Sequence, residues 1–172
     1  DIRIKADSGD SKSYDFDGPY VVDLLTDTIT PNPSAVAIEA GTYKDVELRL
    51  DDIREDDVEG IPSSDPVIDR SIYLKGTYQS NSGSTVPFEL AYEFGETFRV
   101  AGDSDEGVKI SDGVTNEFII AFNIDRWFKL ENDYFEDITG DIVLNEEADG
   151  IVEDIRKVIK DNIKNSADYG IR

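Results

Sequence analysis

Six carboxylates fall within nine residues at Asp51-Asp52-Ile53-Arg54-Glu55-Asp56-Asp57-Val58-Glu59. Calcium takes six to eight oxygen ligands from a flexible loop, so such a run can supply several at once. A second group, Asp103-Ser104-Asp105-Glu106-Gly107, sets acids at alternate positions ahead of a glycine. In a tight turn that spacing can aim two carboxylates inward. Asp56, Asp57, Asp103 and Asp105 are therefore the candidate metal ligands, and calcium is the one cofactor these residues suggest. The competing readings are a solvated acidic loop at the first group and a plain hairpin turn at the second. A third stretch, Asn145-Glu146-Glu147-Ala148-Asp149-Gly150, begins like a helix-loop-helix calcium loop. Its twelfth position is Arg156, where a bidentate glutamate is required, and its residues suit a helix start.

The remaining chemistry is narrow. The chain contains no histidine and no cysteine. Ser-His-Asp, Cys-His and His-zinc arrangements are thereby excluded within it, as are disulfides. Glycoside hydrolysis needs two carboxyl groups about 5–9 Å apart, but with 39 Asp and Glu residues such pairs are inevitable and carry no information. No phosphate-cradling glycine loop and no Gly-x-Ser-x-Gly step is present. No catalytic residue is assigned. Tyr73, Tyr78 or Trp127 could stack on a sugar, which would make the chain a carbohydrate-binding module. A Trp beside Phe after an alternating strand is also the pattern of a core plug.

Charge narrows the partners. Against 39 acids stand 17 Lys and Arg, a formal net charge of −22. Phosphate backbones and anionic membranes repel such a surface, so nucleic acid is not an expected partner. The acidity fits solubility in a saline medium or an affinity for hard cations. Apolar runs reach only four or five residues, such as Phe118-Ile119-Ile120-Ala121-Phe122, far below the ~20 of a membrane-spanning helix. The sequence begins at Asp1 and contains no Met, which reads as a chain whose targeting segment has been removed.

The elements that would position these residues are mostly strands. Val46, Leu48 and Leu50 alternate with Asp45, Glu47 and Arg49. Val86, Phe88, Leu90, Tyr92 and Phe94 alternate with Pro87, Glu89, Ala91 and Glu93, and Phe118, Ile120 and Phe122 repeat the spacing. A period of two marks strands with one buried face. Shorter strands are expected at Ile2–Lys5, Tyr20–Thr26, Ala35–Glu39, Ser71–Tyr78, Thr97–Ala101 and Gly107–Ile110. Turns are expected at Asp17-Gly18-Pro19, Asn81-Ser82-Gly83 and Ser111-Asp112-Gly113. About eight strands punctuated in this way predict a mainly β chain, an antiparallel sandwich in a single domain over 1–172. Short helical pieces are expected after Asp125 and near Asp51–Val58. The loop Asp51–Ser71 is the expected functional excursion.

One region has a helical period. Ile151, Val152, Ile155, Val158, Ile159 and Ile163 form a stripe, so an amphipathic helix is predicted over 145–166, capped by Asn145 and packed on the sheets.

The stretch Asp17-Gly18-Pro19-Tyr20-Val21-Val22-Asp23-Leu24-Leu25, followed by Ile38 through Leu50 with its Ala40-Gly41-Thr42-Tyr43 turn, resembles exported bacterial and archaeal lipoprotein domains of unknown function. Phe118 to Asp125 resembles their closing strand. The likeness covers about residues 17–128 and implies a prealbumin-like β-sandwich, placed in the periplasm or on the cell surface by a lipid anchor upstream of Asp1. It implies no activity. The expected function is a non-catalytic binding or structural module for a protein or glycan ligand, with calcium as a possible stabiliser.

Overall fold

The structure is a computed structural model and describes residues 2–6, 12–102, 107–130, 135 and 140–171. Alternation sets its frame. Strand β5 (Gly41–Leu50) buries Tyr43, Val46 and Leu48 and turns Lys44 and Arg49 outward. It is the hub of the large sheet. On one side β5 pairs antiparallel with β1 (Ile2–Ala6), which continues into β2 (Ser13–Phe16). On the other side its first residues pair with β9 (Val108–Ile110) and its last with β8 (Glu96–Gly102). Beyond β8 lie β12 (Ala167–Ile171) and β10 (Phe118–Phe122). Ile4, Tyr43, Val46, Leu48, Val100 and Ile110 form the core of this sheet.

A second sheet is built around β7 (Thr85–Tyr92), which pairs antiparallel with β6 (Ile72–Gln79) and parallel with β11 (Ile142–Leu144). The β6–β7 turn is the expected one: Gly83 has φ +86°, a left-handed conformation that glycine adopts without steric cost. On this sheet packs helix α2 (Gly150–Lys164). Its Ile155, Ile159 and Ile163, spaced by four, are fully buried against Leu90, Tyr92, Ile142 and Leu144. A one-turn helix α1 (Ile124–Trp127) brings Trp127 into the same cluster. Leu50 and Phe122 touch both cores and tie the sheets together. Strands β3 (Val21–Asp23) and β4 (Thr28–Thr30) form a separate two-stranded sheet.

The mainly β class and the C-terminal helix packed on a sheet agree with the sequence reading. The details differ in several places. Twelve strands are present among the described residues, not about eight. Residues 35–39 are not a strand, and Asp51–Val58 contains a turn and a single bridging residue, Ile53, but no helical piece. Helix α2 spans Gly150–Lys164 rather than 145–166. Its N-cap is Asp149 in an extended conformation, not Asn145. The Asn145 side chain instead accepts a hydrogen bond from the Glu147 amide at 3.1 Å, which closes a local turn before the helix. After α2 the chain returns to the large sheet as β12, between β8 and β10.

Candidate functional site

The predicted excursion between β5 and β6 is a folded loop that bonds to itself. Ile53 and Val58 are buried, and Ile53 forms an isolated parallel bridge with Ile68. The Asp69 amide donates to the Ile53 carbonyl at 2.6 Å and the Arg70 guanidinium donates to the Pro66 carbonyl at 2.6 Å. Within this loop the Asp57 carboxylate accepts the Arg54 amide at 2.7 Å, while the Asp57 amide donates to the Arg54 carbonyl. Asp57 is thus spent in part on holding its own turn. Asp56 sits beside it in a left-handed conformation, φ +76°, and is exposed. Among the described residues no three acidic side chains gather as a cation site. Asp103 and Asp105 lie outside the described residues.

The structure sets this loop beside a feature with no counterpart in the candidate residues. Strands β3 and β4 pair Val21 with Thr30, Val22 with Ile29 and Asp23 with Thr28. Because side chains alternate across a strand, Val22 and Ile29 share one face, and both are exposed. The tip is held by its own acid. Asp23 Oδ1 accepts the Leu25 amide at 2.9 Å and the Thr26 amide at 3.3 Å. Hydrogen bonds from Thr26 and Leu25 hold its carboxyl below the usual carboxylate range. The Thr26 and Thr28 hydroxyls lie 2.9 Å apart, and Asp27 turns the chain at φ +54°. That geometry presents Leu24 and Leu25 to solvent, Leu25 at 97% exposure. Val36, in the irregular segment after β4, is exposed as well.

Between the hairpin base and the loop lies an open groove of about 490 Å³. Phe16, Tyr20, Pro31, Val36 and Val58 supply its apolar lining. Four carboxylates also line it: Asp15, Asp17, Asp57 and Glu59. Asp15 pairs with Arg3 on the neighbouring strand. Asp17, Asp57 and Glu59 form no ion pair among the described residues, and no lysine or arginine lines the groove. The cause lies in the sequence: no Lys or Arg occurs between Lys12 and Lys44, nor between Arg54 and Arg70. The groove is assembled from those two stretches.

The aromatic residues considered for sugar stacking stand elsewhere. Trp127 is buried at 3% exposure, its indole N–H donating to Ser166 Oγ at 2.6 Å. It is a core residue and offers no stacking face. Tyr78 packs on Phe135 with ring centroids 5.1 Å apart, and the Arg70 guanidinium lies 5.7 Å from the Tyr73 ring centre. The site that sequence reasoning located thus shares Asp57 with the groove and misses the hairpin. The cation-free stretch around Val21-Val22 and Leu24-Leu25 was the signal that could have found it.

Comparison with known protein families, with characterised proteins and with solved structures found no match for this chain.

Proposed function

We propose that this chain is a non-catalytic binding or structural module of the periplasm or cell surface, and that its binding face is the β3–β4 hairpin with the adjoining groove. The observation that carries the reading is the exposed apolar set Val22, Leu24, Leu25, Ile29 and Val36 beside a concave, acid-lined groove. Contiguous exposed apolar surface rimmed by polar groups is a common mark of interaction sites. Placement outside the cytoplasm, with a lipid anchor, rests on the resemblance carried by residues 17–50 and by Phe118 to Asp125.

Amide chemical-shift mapping tests the reading. A cationic peptide, a set of neutral oligosaccharides and calcium chloride would each be titrated into the labelled protein. Perturbations clustered on residues 17–36 and 57–59 are expected from at least one probe. Perturbations confined to other surfaces, or turnover of a probe, would replace this reading.

A further inference from the structure

The hairpin and groove carry two kinds of surface together, and the pairing narrows the partner. Of the eight large apolar residues exposed among the described residues, five lie on the hairpin or just after it: Val22, Leu24, Leu25, Ile29 and Val36. Around them acids predominate, with Arg3 paired to Asp15 at one wall of the groove. Asp23 and Asp27 flank the tip, Asp17, Asp57 and Glu59 line the groove, and no cation occurs in the chain from Ser13 to Tyr43 or from Glu55 to Asp69.

From the apolar side chains with this field we infer that the surface docks an extended, basic polypeptide segment of a partner protein, one in which apolar residues alternate with lysine or arginine. This rests on the binding face proposed above. The apolar residues of such a segment would cover Val22, Ile29 and Leu25, and its cations would sit over the groove carboxylates. Among the described residues β3 and β4 pair only with each other, so each has an outer edge on which a strand could be added. Charge decides between occupants. A second copy would bring another net charge of −22 against the same acids, and an anionic membrane would be repelled likewise. A basic segment is drawn in, and its approach is steered by the field.

The test uses the whole chain and a synthetic decapeptide that alternates lysine with valine and leucine. A lysine–serine peptide supplies the charge alone, and a neutral valine–serine peptide the β-forming apolar part alone. The alternating peptide is expected to bind at least about tenfold tighter than either control. Raising salt from about 20 to about 300 mM should weaken it. The paired substitution Leu24→Ser with Leu25→Ser, and separately Asp17→Asn with Glu59→Gln, should each lower affinity about fivefold or more while circular dichroism is unchanged. Equal binding of the lysine–serine peptide would overturn the inference, since any acidic patch would then do. So would unchanged affinity in the hairpin variant. Light scattering and flotation with zwitterionic vesicles complete the set. A dimer or vesicle binding abolished by the hairpin variant, without peptide binding, would overturn the partner class and leave the binding face standing. No shift at Tyr20, Leu25 or Val36 with any probe would remove both.

Discussion

Helix α2 and the β3–β4 hairpin both carry branched apolar side chains at the period of their own element, and the fold treats the two sets in opposite ways. On α2 the set is Ile155, Ile159 and Ile163, each fully buried against Leu90, Tyr92, Ile142 and Leu144. On the hairpin it is Val22 and Ile29, cross-strand partners left in solvent, with Leu24 and Leu25 beyond them. Removing a large aliphatic side chain from water stabilises by about 1.5–3 kcal/mol, and leaving one exposed forgoes that gain. Amphipathicity therefore reports a face that wants covering, and only the rest of the chain says whether the cover is internal. The difference can be probed from both ends.

The largest effect belongs to the buried set. Ile159→Ala removes a fully buried branch from the middle of the α2 face and should cost about 2–5 kcal/mol, read from urea unfolding. A loss below about 1 kcal/mol would mean that α2 is loosely seated and that the contrast with the hairpin is overdrawn.

Next come the polar contacts that seat α1 against the end of α2. The Trp127 indole donates to Ser166 Oγ, whose hydroxyl donates in turn to the Ile163 carbonyl at 2.8 Å. Ser166 is fully buried, so Ser166→Ala strands the indole N–H and should cost about 1–3 kcal/mol. Trp127 is the only tryptophan, so its emission should be blue-shifted and resistant to iodide. Red-shifted, quenchable emission would contradict the packing.

Part of this was legible in the sequence. Strands β5 and β7 are long enough for alternation to be unambiguous, and the isoleucines of α2 recur at the helical period. The missed strands are short or lack that signal. Strand β11 is three apolar residues in a row, and β12, Ala167-Asp168-Tyr169-Gly170-Ile171, contains a glycine and an acid. Each is a strand because distant strands hold it: β7 pairs parallel with β11, while β12 runs antiparallel along β10 over its whole length and parallel to β8 over two residues. Local propensity does not encode such partners. Asp57 was named from the density of acids around it. Its place beside Asp17 and Tyr20 comes from tertiary contact between segments roughly forty residues apart, which spacing along the chain cannot show.

Smaller again is the ionic clamp that holds α2 to β8. Lys160 Nζ approaches Glu96 Oε1 at 2.6 Å and Lys164 grips the other oxygen. Hydrogen bonds from Lys160 and then Lys164 hold the Glu96 carboxyl below its ordinary value of 4.5. Below that value the unfolded chain takes up a proton more readily than the folded one. The clamp's contribution is therefore complete above about pH 4.5 and lost as pH falls through the depressed folded value. Glu96→Gln should cost about 0.5–1 kcal/mol near neutrality, with the gap to the parent closing on acidification. At the alkaline end the sign reverses. Burial pushes the Tyr43 hydroxyl up to about 12 from 10, so stability should fall as pH rises from 10 toward 12. Tyr43→Phe should flatten part of that fall, read from unfolding midpoints across the range.

The smallest effect is the one the hairpin must show. Leu24→Ser with Leu25→Ser replaces side chains that are 48% and 97% exposed, at a tip whose turn is held by Asp23 and Thr28 rather than by the leucines. Surface substitutions of that kind shift stability by within about 0.5 kcal/mol. The unfolding midpoint should stay where it is while affinity for the alternating basic peptide drops. A fall in stability comparable to that of Ile159→Ala would mean that the leucines are covered by the protein itself. The hairpin would then belong with α2 as a part of the core, and the docking surface would vanish with the contrast that defines it.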